Sequence, residues 1–163
     1  MNAEILTKLK QIPLFETIRN NEDYLRELGG IGKLRSFAAG DAIIREGEIG
    51  DEMFIVLTGG VEVRKRTRAG DDYTVVRLAA EQNVFFGELG LIDEDRRSAT
   101  VIASRNSSFL VIGKKDFLDF GDRHPQIAFP ITLALSRILC ARLRKTTEDM
   151  LTIFDALVSE IQG

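Results

Sequence analysis

The sequence has very few of the residues that usually hold metal ions or perform nucleophilic catalysis. Its 163 residues include one cysteine, Cys140, one histidine, His124, and no tryptophan. Zinc, haem and iron–sulfur sites need several such ligands in one place, and Ser-His or Cys-His catalysis needs a histidine beside the nucleophile. We therefore expect no metal, no cofactor and no enzymatic activity. His124 precedes Pro125 in a predicted turn between helices, which favours a surface or helix-capping role.

The chain also lacks an excess of basic residues. Its 22 lysines and arginines are outnumbered by 25 aspartates and glutamates, which gives a formal net charge of -3. A surface that binds nucleic acid must neutralise many phosphates, so we expect no direct binding to DNA or RNA. The N-terminus has no basic stretch followed by a long apolar run, and no segment looks long and apolar enough to span a bilayer. The predicted location is the cytoplasm, with no membrane partner.

The composition is that of a globular domain, with 44% hydrophobic and 29% charged residues. The hydrophobic pattern changes twice along the chain and divides it into three segments. Residues 1–33 have apolar side chains at helical spacing, 34–113 alternate as strands do, and 114–163 return to helical spacing. The pattern predicts an α+β fold that is mainly β, a double-stranded β-roll or jelly roll between short N-terminal helices and a long C-terminal helix.

The strand segment consists of short runs rich in Val, Ile, Phe and Thr, separated by Gly and Asp at turns. The runs occupy residues 42–44, 53–57, 61–63, 74–76, 100–102 and 109–111. Many short strands at this spacing predict an antiparallel barrel or a two-sheet roll. Metal-dependent cupin-type enzymes share this architecture, but they need the histidines that this sequence lacks. The roll is therefore better interpreted as a binding scaffold.

The last helical segment is longer than one domain needs. Pro130 suits the first turn of a helix, where its missing N–H is no loss, and nothing breaks the helix before Ile161. A helix over 130–161 would extend for about 45 Å at about 1.5 Å per residue. Six of its residues, five of them apolar, follow one another at alternating spacings of four and three. This is the spacing of the contact seam in a two-stranded coiled coil, and it predicts a parallel homodimer. The seam consists of Leu139, Leu143, Thr146, Met150, Ile153 and Leu157.

An alternative is that this helix packs back onto the roll. Further apolar residues lie beside the seam and make this alternative partly true: Leu135, Ile138, Leu151, Phe154 and Val158.

One segment, residues 86–101, departs from strand alternation. Gly87 and Gly90 permit a tight turn in which successive backbone N–H groups face one anion. After an acidic spacer, the guanidinium of Arg97 can bind the oxygens of a phosphate bidentately. A carboxylate in such a loop repels phosphate unless it faces another group, and a ribose hydroxyl is its usual partner. We therefore predict that Arg97 holds a phosphate and Glu88 a ribose.

These residues resemble the phosphate-binding cassette of cyclic nucleotide-binding domains. The resemblance rests on the run from Phe86 to Leu91 and on the run from Arg97 to Val101, and it extends to 45–63, which is similar to the first half of the family's roll. It implies a site inside the roll and no catalytic activity. The phosphate- and ribose-binding residues that it implies are Phe86, Gly87, Glu88, Leu89, Gly90, Arg97, Ser98 and Ala99. Haem and iron–sulfur sensors of this family use several Cys or His ligands, which are absent here.

Residues 142–148 are similar to the long dimer helix in the sensor half of bacterial catabolite activator proteins. In those proteins adjacent Thr and Ser hydroxyls contact the adenine, one of them from the partner subunit. By position, Thr146 and Thr147 become candidate base contacts, although Thr146 is also explained as a polar seam residue that sets register. The threonine pair favours cAMP. Ser98 leaves cGMP as the alternative, because a hydroxyl there can accept from the guanine 2-amino group.

The predicted function is a sensor domain that binds cAMP and transmits its occupancy through the C-terminal helix to an unidentified protein partner. Transcriptional control by direct operator contact is not expected, since the sequence ends at Gly163 without a helix-turn-helix. The alternative is a nucleotide-free dimeric interaction module on a degenerate roll. The presence of both Glu88 and Arg97 argues against it.

Overall fold

A computed structural model describes residues 2–67, 69–93 and 96–162 of the chain. Two helices precede the roll, α1 (Ala3–Gln11) and α2 (Glu22–Gly30), with a 3₁₀ turn at Pro13–Phe15 between them. Both helices begin after an asparagine cap, because the Asn2 and Asn21 side chains accept hydrogen bonds from backbone N–H groups of the first turn. The short N-terminal helices predicted for residues 1–33 are therefore present.

The roll consists of two four-stranded antiparallel sheets. The first has the strand order β1-β8-β3-β6 and the second the order β2-β7-β4-β5. The strands are β1 (Lys33–Phe37), β2 (Ala42–Ile44), β3 (Glu52–Thr58), β4 (Gly60–Arg66), β5 (Asp72–Ala79), β6 (Phe85–Phe86), β7 (Thr100–Ala103) and β8 (Ser107–Gly113). All six strand runs predicted from the sequence lie within these strands, and the predicted fold class is confirmed.

Strand β3 shows how the alternation of side chains builds two cores. Phe54 and Val56 face the inside of the roll, where the Phe54 ring stacks on Phe86 with 5.1 Å between ring centroids. Met53 and Ile55 face the other way and pack among apolar residues of the helices. The strand is thus buried on both faces, which explains its continuous apolar run.

Helix α3 (Leu89–Ile92) lies between β6 and β7, and α4 (Lys114–Arg123) and α5 (Pro125–Gln162) follow β8. The prediction that the long helix begins at Pro130 is wrong, since it begins at Pro125. Pro125 takes the first helical position, and the His124 carbonyl accepts hydrogen bonds from Ile127 and Ala128, so His124 has the capping role predicted for it. Pro130 lies inside the helix, in its second turn, and Ile127 of the first turn is buried in the core.

Helix α5 packs back onto the domain only along its first part. Ile131 and Leu135 are buried, and Ile138 and Leu139 are partly buried against the same core. From Leu143 onward the large apolar side chains are exposed: Leu143, Met150, Leu151, Ile153, Phe154, Leu157 and Ile161. The alternative that α5 packs back onto the roll therefore holds for less than half of the helix. The homodimer stays a prediction.

By length and composition alone, α5 could cross a membrane, with a mean hydropathy of 1.3 in its most apolar window. The prediction that no segment has this property is therefore wrong. The feature is weak evidence for a span, because core helices of soluble proteins have the same property. Here the apolar character is the sum of a core-facing stripe at the beginning of α5 and an exposed stripe at its end.

Candidate functional site

A cavity of about 520 Å³ opens between the second sheet and α3. All eight residues predicted to bind phosphate and ribose line it: Phe86, Gly87, Glu88, Leu89, Gly90, Arg97, Ser98 and Ala99. The opposite wall is apolar and includes Ile44, Val63, Val76, Leu78 and Val101. Glu94 and Asp95, in the spacer of the predicted cassette, lie outside the described residues. The structure thus brings a polar wall and an apolar wall together around one cavity.

The turn after β6 gives the polar wall its shape. Gly87 has φ of 75°, a left-handed conformation that glycine adopts at little cost. The chain then forms one helical turn, in which Gly90 N–H donates to the Gly87 carbonyl and Leu91 N–H to the Glu88 carbonyl, both at 3.0 Å. This turn places residue 88 inside the molecule, and Glu88 is only 4% exposed.

Arg97 is held in place from both sides. Its backbone N–H donates to the Glu48 carbonyl at 2.8 Å, and its carbonyl accepts from Gly47 N–H at 2.9 Å, which ties it to the loop between β2 and β3. Its guanidinium donates from Nη1 to the Gly87 carbonyl at 3.1 Å and from Nη2 to the Glu52 carbonyl at 2.8 Å. The guanidinium is therefore oriented before any ligand arrives.

The electrostatic setting of Arg97 favours an anion. Burial lowers the pKa of the guanidinium, while the more distant carboxylates of Glu52, Asp51 and Glu88 raise it. An arginine stays protonated under such shifts. Within the described residues, its side chain bonds to carbonyl oxygens and to no carboxylate. The cavity wall thus carries a half-buried positive charge that forms no ion pair within the part of the chain that the structure describes.

Glu88 has a partner that the sequence analysis missed. Arg142 of α5 donates from Nη1 to Oε1 of Glu88, and its guanidinium lies 5.9 Å from the centroid of the Phe85 ring. The side chain of Glu88 is 5% exposed and that of Arg142 is 53% exposed, so the pair lies at the mouth of the cavity. Arg142 begins the segment that resembles a dimer helix, but only the fold shows that it reaches the cassette.

The structure does not bring the two candidate base contacts to the cavity. Thr146 and Thr147 are exposed about one turn beyond Arg142, and their hydroxyls donate to the Arg142 and Leu143 carbonyls at 3.0 Å. Neither residue lines the cavity. Their contact with a base stays a prediction.

Comparisons with known proteins agree with this geometry. Residues 34–124 match the family model described as cyclic nucleotide-binding domain. The chain is 38% identical over 96 residues to a cAMP-dependent protein kinase regulatory subunit of Mycosarcoma maydis. That match covers 59% of this chain and 17% of the relative, so the chain spans about a sixth of that protein.

Two solved structures have the same fold. A cyclic nucleotide-binding domain from Methylobacillus flagellatus superposes with a TM-score of 0.77 at 26% identity, over 91% of this chain and 81% of that one. The catabolite activator protein of Thermus thermophilus superposes with a TM-score of 0.75 at 25% identity, over 85% of this chain and 61% of that one.

Proposed function

Because the chain belongs to the cyclic nucleotide-binding domain family, we propose that it is a cytoplasmic cAMP sensor in which Arg97 binds the cyclic phosphate and Glu88 the ribose. One observation carries the proposal: a half-buried guanidinium, which has no ion pair among the described residues, and a buried carboxylate line the same cavity. A 3′,5′-cyclic nucleotide presents matching groups, a singly charged phosphodiester and a free 2′-hydroxyl. The phosphate would compensate the charge of Arg97, and the hydroxyl would donate to Glu88.

The apolar wall supports adenine as the base. Guanine carries a carbonyl and a 2-amino group that lose hydrogen bonds to water when they face side chains such as Val63 and Leu78. Ser98 is a polar residue on the cavity wall whose hydroxyl could accept from the 2-amino group, so cGMP is the competing ligand. The proposed preference for cAMP therefore assumes that the apolar wall disfavours guanine by more than a hydrogen bond to Ser98 favours it.

The pair between Glu88 and Arg142 supports a route for the signal. The ribose and Arg142 would meet at one carboxylate, so binding of the ligand and the position of α5 would affect each other. Such coupling between sites is typically about 1–3 kcal/mol. We expect α5 to pass this change to a second copy of the chain, through its exposed apolar side chains, and to a protein partner. Thr146 and Thr147 would reach a base only if α5 moved or a second subunit supplied them.

Titration calorimetry tests the ligand assignment. The wild-type protein should bind cAMP more tightly than cGMP, and 5′-AMP should bind weakly because its phosphate carries a second charge and is not cyclic. Arg97→Ala should lose about 2–5 kcal/mol of binding free energy, because the buried phosphate loses its charged partner. Arg105→Ala is the matched control: Arg105 also donates to a carbonyl, that of Gly59, but it lies outside the cavity.

Two results would overturn the proposal. If Arg97→Ala bound cAMP as tightly as Arg105→Ala, Arg97 would not hold the phosphate. If the folded wild-type protein bound none of the three nucleotides, the nucleotide-free interaction module would become the better explanation.

A further inference from the structure

Three glycines surround the guanidinium of Arg97 at distances that leave no room for a side chain. A Cβ atom on Gly50 would lie 2.1 Å from Nε of Arg97 and 2.6 Å from both Cζ and Nη2. On Gly90 it would lie 2.6 Å from the Gly50 carbonyl oxygen and 2.9 Å from Nη1 of Arg97, and on Gly87 it would lie 2.8 Å from the Glu52 carbonyl oxygen and 3.0 Å from Nη1. Real Cβ atoms do not approach other heavy atoms closer than 3.0 Å.

Backbone conformation does not explain all three glycines. Gly87 has positive φ and is favoured there for that reason as well. Gly50 and Gly90 do not have positive φ, so other residues could adopt their backbone conformation. The space taken by Arg97 is what excludes a side chain at Gly50, because the three nearest atoms to its Cβ position all belong to that guanidinium.

We infer that Gly50, Gly87 and Gly90 form a glycine sleeve that positions Arg97, with Gly50 as its main positioning residue. The sleeve lets the guanidinium lie directly against the backbone, where it donates to the Gly87 and Glu52 carbonyls. A group held in this way loses little conformational freedom when a ligand binds. The inference deepens the proposed function, since it rests on Arg97 being the group that binds the phosphate.

Gly50→Ala tests the inference through nucleotide affinity. The new methyl group would displace the guanidinium from its two carbonyls, so the affinity for cAMP should fall about tenfold to hundredfold, the effect of one misplaced charged hydrogen bond. Gly30→Ala is the matched control, because apart from its chain neighbours and the backbone of its own helix no atom lies within 4 Å of a Cβ at that position, which is outside the cavity. Its affinity should equal that of the wild type. Wild-type affinity in Gly50→Ala would overturn the inference.

A second measurement, the thermal midpoint without ligand, separates positioning of Arg97 from general damage to the fold. Gly50→Ala should lower the midpoint of the wild type but not that of Arg97→Ala, where the clashing side chain is gone. Gly90→Ala should lower both midpoints, because its closest contact is the Gly50 carbonyl. If Gly50→Ala alone fails to fold, the double variant Gly50→Ala with Arg97→Ala should still fold like Arg97→Ala.

An equal loss from Gly50→Ala in both backgrounds, or failure of the double variant to fold, would overturn the inference. If the wild type bound no cyclic nucleotide but the thermal cycle gave the expected non-additive result, the proposed function would fail and the sleeve would stand.

Discussion

Replacement of Arg142 by alanine should destabilise the unliganded protein, although Arg142 lies on a helix whose surroundings are mostly solvent. The guanidinium pairs with Glu88, whose side chain is 5% exposed, while its own side chain is 53% exposed. Alanine would leave the buried Glu88 carboxylate without the cation that it contacts. The resulting loss should be larger than that of an ordinary surface ion pair.

Two limits bracket the magnitude. Removal of one partner from a fully buried ion pair costs about 3–5 kcal/mol, whereas an exposed pair is worth about 0.2–1 kcal/mol. Here one partner is buried and the other is half in water, so we expect a loss of about 2 kcal/mol in the free energy of unfolding. For a chain of this length, that loss corresponds to a decrease of about 4–8 °C in the thermal midpoint.

The assay is urea or thermal unfolding without ligand, at one protein concentration so that self-association affects every variant equally. Arg144→Ala is the control on the same helix, and it should change the free energy of unfolding by less than about 0.5 kcal/mol. In a Glu88→Gln background, Arg142→Ala should cost much less, because an amide leaves no buried charge behind. An equal cost of Arg142→Ala in both backgrounds, or a cost no larger than that of Arg144→Ala, would refute the ion-pair reasoning.

Three further predictions follow from the same site. Glu88→Gln should weaken cAMP binding less than Arg97→Ala does, and 2′-deoxy-cAMP should bind the Gln variant and the wild type alike in calorimetry; a large remaining difference would mean that Glu88 does not act through the 2′-hydroxyl. Saturating cAMP should change amide hydrogen exchange within residues 135–161, and unchanged exchange there would exclude transmission through α5. Lysine at both Leu143 and Leu157 should shift the protein from dimer to monomer in sedimentation velocity, whereas a monomeric wild type would rule out the homodimer.

Much of the roll could be predicted because the patterns that indicate strands and turns involve residues close together in the sequence. Strand alternation and turn residues lie within a few positions of one another, and the predicted strand runs all coincide with observed strands. The cassette is equally local: its eight predicted residues fall between 86 and 99 and line one cavity. One tight turn carries residues 87–90, and residues 97–99 lie in the loop directly before β7, so the two halves of the cassette are close in the sequence as well as in the structure.

The parts that could not be predicted depend on distant packing. Pro130 looked like the beginning of a helix because the rule for proline is local; Pro125 satisfies the same rule, and the residue Ile127 between the two prolines is buried in the core. Arg142 is 54 positions from Glu88, and nothing in its neighbourhood along the sequence distinguishes it from Arg144. Only the packing of α5 against the domain brings Arg142 to Glu88.

The charge pattern of α5 helps to identify what covers its exposed apolar face. Residues 143–161, which carry this exposed face, contain four acidic side chains, Glu148, Asp149, Asp155 and Glu160, and only two basic ones, Arg144 and Lys145. Helices that lie on membranes usually carry Lys and Arg on the polar face, because anionic headgroups attract them, so this pattern favours a protein surface over a lipid one. The exposed face begins at Leu143, the residue directly after Arg142. If a ligand displaced Glu88 from Arg142, the helix would therefore be affected at the first turn of this exposed face. A small rotation of α5 at that point would reorient the apolar side chains that follow.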